Sequence, residues 1–419
     1  MNTLPTLQRI LTGSVFLFLL GAMLLLTLHP MAGMINGAAA EHPALVHLLG
    51  LGGVLGGYYR IYSGLFRRLY GPSPWEGRLW PVIAATHLTG VVLMVIGFHN
   101  SNPLLIYIGG HYLLPTGICL SVLLGALMAR NRPRGVPRYG VFHLPGAGLL
   151  VAMSLGALMA MDAFLGIYGI YGPRTILIHA LSAGFLFVMP AFTLAPLGRR
   201  IPPAGLDPDS LGDPEIPPSA EVMGEARRIL LAQMAAGLGL LGVALGVELE
   251  GVEKALALGL GLLGGVALWL GLPSGAGMTA ALAPLRRMPW AAVGALLMFA
   301  ALKIWKNVMS FEGGFTLAAI TISVFLLGLV LPDMLAELRE TESVGTDDVP
   351  LYPADENPEV SLAAAGHFTA QLFGTGLILA GQITGLAPLV MGGAAVWGVS
   401  LLVLSSGTLK KGGVSSAKE

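Results

Sequence analysis

The sequence predicts an all-α fold, a polytopic membrane bundle of about twelve transmembrane helices forming a single transmembrane domain over residues 1–419. Three observations predict it. Hydrophobic residues make up 55% of the chain and charged residues 11%, whereas a soluble domain carries about 25% charge. The mean hydropathy is +0.76. The apolar runs are continuous rather than alternating, and a helix needs about 20 such residues to cross the hydrocarbon. Only a helix or a closed barrel satisfies its backbone there, and unbroken runs favour helices.

The expected spans are 13–30, 44–66, 80–98, 103–129, 142–166, 174–197, 227–248, 253–272, 289–309, 315–337, 362–384 and 387–406. The first run follows a single arginine, Arg9, and lacks a clear small-residue cleavage site, so it is expected to be a retained span. Basic residues set the direction. Arg9, Arg67, Arg68, Arg78, Arg130, Arg132, Arg134, Arg138, Arg199, Arg200, Arg227, Arg228, Arg286, Arg287, Arg339, Lys410, Lys411 and Lys418 fall on one side of this scheme. The other side holds little beyond Arg174 and Lys254. By the positive-inside rule both termini are expected to be cytoplasmic, in a bacterial inner membrane. Two proline- and acid-rich stretches, 201–225 and 339–361, are expected to be cytoplasmic linkers without a core.

Composition also excludes function classes. The 23 basic and 23 acidic residues balance, which gives no concentrated basic face for nucleic acid and leaves the lipid bilayer as the partner. The one cysteine, Cys119, lies in an apolar run. Internal disulfides, thiolate zinc sites, iron–sulfur clusters and covalent haem attachment all need more.

An internal match carries the candidate site. Span two and its following turn read LVHLLGLGGVLGGYYRIYSGLFRR from Leu45 to Arg68, and span six reads LIHALSAGFLFVMPAFTLAPLGRR from Leu177 to Arg200. Without gaps, His47 aligns on His179, Leu49 on Leu181, Gly52 on Gly184 and Arg67-Arg68 on Arg199-Arg200. Leu and Gly matches are cheap in membrane helices; a shared histidine and a shared Arg-Arg end are not. The offset of four spans suggests four-helix pseudo-repeats, with span ten as a third member in which Pro332 aligns with Pro190 and Thr321 stands in the histidine position.

The same orientation places His47 and His179 about one turn below the outer surface. His111 is expected somewhat deeper and His87 in the inner half, with His143 and His367 near the cytoplasmic face and His29, His42 and His99 at the outer rim. An imidazole in hydrocarbon costs free energy unless partnered, so these residues are candidates for metal ligands or proton carriers. Histidine on facing helices is the usual axial ligand of b-type haem. Gly52 and Gly184, five residues after each histidine, are expected on roughly the same face, leaving room for a flat macrocycle. Tyr58, Tyr59, Arg60 and the arginine pairs lie about three turns deeper and are expected to anchor helix ends. Against the ligand assignment stands the simpler one, in which a membrane histidine is only hydrogen-bonded to a neighbouring helix. Lys303 and Lys306 could pair with Glu312 or haem propionates or simply snorkel, and Asp162 serves either a proton path or a helix end.

Twelve spans, inner termini, four-helix repeats and outer-end histidines on spans two and six together resemble the haem-copper oxidase subunit I superfamily, which includes nitric oxide reductases. The stretch His179-Ala180-Leu181-Ser182-Ala183-Gly184, continuing to Leu197-Gly198-Arg199-Arg200, also resembles the NnrS family of haem- and copper-containing membrane proteins. The resemblance implies haem b, with copper possible, and a role in respiratory electron transfer or nitric oxide metabolism beside an electron-donor protein or respiratory subunit. It implies His47 as a low-spin haem ligand and His179 as a metal ligand. His111 and His87 are further candidate ligands from their depth alone. The chain departs from the oxidase pattern in span seven, ILLAQMAAGLGLLGV, and in span ten, TLAAITISVFLLGLVLP, both without histidine. A complete binuclear centre is therefore not expected, and oxidoreductase activity is left open. Two other functions remain: a secondary transporter of two six-helix halves, and an assembly or accessory subunit of a respiratory complex.

Overall fold

The computed structural model describes residues 4–30, 41–71, 75–118, 125–131, 139–167, 169, 175, 178–179, 182–199, 201, 219–246 and 358–411. These residues are helical, with no strand among them. Three helical stretches are long and apolar enough to cross a membrane, Ile10–Leu28, Arg78–His99 and Gly140–Leu165, and two shorter apolar helices are Ser182–Ala195 and Ala387–Val403. The chain is a helical membrane protein by this measure. Spans eight to ten, Thr321, Pro332, Lys303, Lys306, Cys119 and most of both linkers lie outside the described residues.

The first helix, α1, covers Leu4–Leu28 and ends just before Pro30, whose ring and missing N–H cannot continue it. The second expected span is three pieces in line: α2 (Glu41–His47), a π-helical stretch π1 (Leu48–Leu55) and α3 (Gly56–Tyr70). Gly71, at φ 84°, closes α3 by donating its N–H to the Arg67 carbonyl at 2.8 Å. Next come α4 (Glu76–His99) and α5 (Pro103–Ile118). Between them Asn102 Oδ1 accepts the N–H groups of Leu104 and Leu105 at 3.1 and 3.3 Å, with Pro103 at the first helical position.

A short α6 (Gly125–Asn131) is followed by a single 3₁₀ turn and α7 (Leu144–Leu165). The sixth span is again broken: a π-helical stretch π2 (Ser182–Val188) leads into α8 (Met189–Arg199). Three further helices are described: α9 (Ser219–Gly246), α10 (Pro358–Thr384) and α11 (Ala387–Lys411). Both expected linkers are thus trimmed at their C-terminal ends. Ser219 to Glu225 and Pro358 to Ser361 are helix, because each acidic tail runs without a break into an apolar run.

Packing follows the glycines. A Cβ on Gly90 would lie 2.6 Å from Leu113 Cγ, and one on Gly109 2.7 Å from the Met94 nitrogen, so α4 and α5 lie backbone to backbone. Gly148 of α7 meets the Leu186 carbonyl of π2, and Gly374 of α10 meets the Gly393 carbonyl of α11 at 2.8 Å in the same sense. Neighbouring pairs run α2–α4, α4–α5, α5–α7 and α7–π2, while α3 packs on α8. Spans two to six therefore form a circuit that closes through α3 and α8. There Tyr62 donates to the Ala191 carbonyl at 3.1 Å, and Gly198 sits against Leu65. Helix α1 packs on span two and on α11. Because a side chain at Gly374 meets backbone, Gly374→Val is expected to cost about 1–3 kcal/mol, read as a lower unfolding midpoint of the detergent-purified protein; an unchanged midpoint would show that α10 and α11 are not in close contact.

Candidate functional site

His47 is the last residue of α2 and is half buried. Its Nδ1 lies 2.7 Å from the Pro43 carbonyl, which can only accept, so Nδ1 carries the proton and Nε2 the lone pair. The ring stacks on Phe98 of α4 with centroids 4.2 Å apart. His179, just before π2, lies against α7 instead. A Cβ on Gly156 would be 3.0 Å from its Cε1, the Ala152 backbone is its hydrogen-bonding neighbour, and its buried Nδ1 has no partner.

His111 stands exposed on α5, with Nδ1 2.9 Å from the Tyr107 carbonyl and its ring over Tyr107 at 4.1 Å. Tyr107 in turn stacks on Phe164 of α7 at 5.0 Å. His87 on α4 is 0% exposed and neither ring nitrogen has a hydrogen-bond partner. Its neighbours are the Tyr59 ring, edge-on at 5.2 Å, and Gly56, whose absent Cβ would lie 3.4 Å from Nε2. The four candidate histidines thus have separate surroundings: His47 against Phe98, His87 against α3, His111 at the outside of α5, and His179 against α7. Among the described residues no three His, Cys, Asp or Glu side chains converge as a metal site.

The two glycines also differ. In an α-helix a residue five positions on points about 140° away, whereas i→i+5 bonding brings it back near the same face, and both glycines lie in π-helical stretches. At Gly52, however, the space is taken by Phe18 of α1, 2.7 Å from where a Cβ would be. At Gly184 nothing among the described residues lies within 4 Å. Among those residues the space beside Gly184 is unfilled and that beside Gly52 is not.

Tyr58, Tyr59 and Arg60 are not end anchors. They are 0%, 0% and 2% exposed, and Arg60 lies ten residues, about 15 Å, before the end of α3. Every residue from Gly56 to Ser63 is buried, so this part of α3 is enclosed on all sides. A buried arginine at this depth is expensive and functional by default. Arg68 does behave as an end group, its Nε donating to the Ile201 carbonyl at 3.0 Å. Asp162 also has an end role: its Oδ1 accepts the Gly169 N–H at 3.0 Å, holding the turn after α7. His29 and His99 are exposed, as expected of the rim. His143 pairs with Tyr70 at 2.6 Å and stacks on Phe66 at 4.8 Å, tying the end of α3 to the start of α7.

One polar group was read in the sequence only at its histidine, His367, and not at its partners. On α10, His367, Gln371 and Thr375 stand at i, i+4 and i+8 and are all buried. Facing them on α11 are Trp397, whose Nε1 donates to Thr375 Oγ1 at 3.3 Å, and Ser400, hydrogen-bonded to His367 Nδ1. The regular spacing of polar residues along one stripe of an apolar helix was the available signal.

No protein-family model matches the chain, and no curated protein resembles it significantly.

The orphaned ring of His87 makes a direct prediction. A buried polar group without a partner costs about 1–3 kcal/mol, and an apolar replacement removes that cost. His87→Leu is expected to leave the unfolding midpoint unchanged or higher; a marked fall would show that both nitrogens are engaged.

Proposed function

We propose that the chain binds haem b through intramembrane histidines, with His47 and His179 as axial ligands, and serves respiratory electron transfer or nitric oxide metabolism. The observation that carries this is the recurrence of one local structure. Each of the two aligned histidines precedes a π-helical stretch, and each stretch leads into an α-helix with basic residues at its end. Such stretches are rare and collect at functional sites. Their recurrence at matching positions supports a four-span pseudo-repeat within a twelve-span bundle. The alternation of basic loops supports both termini lying in the cytoplasm.

The donor chemistry fits a haem iron at His47. A ligating imidazole usually gives its other ring N–H to a carbonyl, which fixes the tautomer and ring orientation. The Pro43 carbonyl does this for His47, and the Tyr107 carbonyl does it for His111. At His179 the buried Nδ1, unpartnered among the described residues, and the space those residues leave beside Gly184 favour a ligand. Because His47 faces α4 and His179 faces α7, the two suit separate attachment points rather than the two faces of one porphyrin. Bound haem would supply a one-electron iron couple, exchanged with an electron-donor protein or respiratory subunit at the membrane surface. Copper, which the resemblance also implies, has no three-ligand group among the described residues and is left out of the proposal.

A twelve-helix secondary transporter is the second reading, favoured by Arg60 deep in α3 and by the interrupted helices of spans two and six. Colour separates the two. The purified protein is expected to show a Soret band and a haem b pyridine haemochrome, with His47→Ala and His179→Ala each losing or shifting part of the absorption. Well-expressed, folded, colourless protein would overturn the haem assignment.

A further inference from the structure

We propose that His367 is a proton-binding site, held between α10 and α11 by Gln371 and Ser400. It does not depend on haem binding and uses none of the residues assigned to that role. Helices α10 and α11 form a hairpin closed by Gly385, at φ 73°, and drawn together at Gly374 and Gly393. His367 and Ser400 lie near the middle of the two helices, eighteen residues before and fifteen after that glycine. The imidazole is 6% exposed and Gln371 4%.

The hydrogen bonds fix the protonation state drawn. Gln371 Nε2 can only donate, so His367 Nε2 accepts. Nδ1 then carries the proton and donates to Ser400 Oγ. This neutral arrangement leaves one polar atom over. Gln371 Oε1 is buried and has no partner, a cost that a settled structural network would avoid by burying leucine or methionine instead.

A proton from the aqueous phase, taken up on Nε2, gives the ring a second N–H in need of an acceptor. The two ends of a carboxamide are nearly the same size, so the amide turns over in place and Oε1 accepts the new Nε2–H. The imidazolium then has two acceptors, Ser400 Oγ and Gln371 Oε1, which a buried cation requires. Gln371 therefore serves both states of the ring, as acceptor for one and donor for the other. Among the described residues packed on this site no other charge competes, since residues 366–384 of α10, 387–403 of α11 and 10–28 of α1, which packs on α11, contain no Asp, Glu, Lys or Arg. Trp397 and Thr375 satisfy each other one layer further in. Intramembrane histidines of this kind mark proton paths.

The test is nitrogen NMR of the full chain in nanodiscs, labelled with ¹⁵N-histidine, with the His367 signals identified by their loss in His367→Gln. Wild-type His367 is expected to pass from one protonated and one bare nitrogen to two protonated nitrogens between about pH 8 and about pH 3, a range wide enough to include the cost of charging a buried ring. Gln371→Leu, which removes the acceptor, is expected to shift that transition at least tenfold in proton concentration towards acid. A bare nitrogen that persists through this range in the wild type overturns the proposal, and so does a transition that Gln371→Leu leaves in place. Haem content is expected to be the same in Gln371→Leu as in the wild type.

Discussion

Hydrocarbon offers no hydrogen bonds, and this one constraint shapes the molecule. It forces the described backbone into helix and makes every buried polar side chain find an internal partner or serve a purpose. Most are satisfied locally. Ser14, Thr27, Thr86 and Thr193 return their hydroxyls to carbonyls three or four residues back. Others tie helices together, as Thr86 does with Thr116 at 2.5 Å and Gln233 with Thr193 at 2.9 Å. Against that background single buried atoms without a partner among the described residues stand out, among them both ring nitrogens of His87, His179 Nδ1, Gln233 Oε1 and Gln371 Oε1.

Three of those four residues lie on helices that carry the candidate chemistry or face it. A π-helical stretch widens the backbone and changes the angular step of each residue, so it decides which side chains look inward. Beyond π1, Tyr58, Tyr59, Arg60 and Tyr62 are all nearly inaccessible, and Tyr62 reaches the Ala191 carbonyl of the matching helix. The same stretch places His47 against α4, while π2 follows His179 on α7. Two similar segments have thus been fitted to different neighbours.

The helical membrane class was legible because it depends on summed hydropathy, to which every residue contributes. Helix limits were legible where proline or glycine enforces them, as at Pro30, Pro103 and Gly71. The π-helical stretches were not, since Gly50, Gly52, Gly53 and Gly56 also read as ordinary small-residue packing. Arg60 and its neighbours were misplaced for another reason: the helix runs on to Tyr70, past the expected end of span two at 66, and is enclosed on all sides around Arg60. Gly52 was read as space for a ligand, but a glycine marks space for whatever lies opposite, here Phe18. The His367 stripe was visible as spacing, yet its meaning needed α11, because Ser400 is distant in sequence and adjacent only through the Gly385 turn.

The haem proposal requires iron to be coordinated by histidine inside the membrane domain. Pulsed electron paramagnetic resonance of the oxidised, purified protein grown on ¹⁵N-histidine reads that bond. A ferric haem signal with hyperfine coupling to a histidine nitrogen is expected, altered when His47 is replaced. Iron-free protein, or a haem signal without histidine coupling, would contradict it.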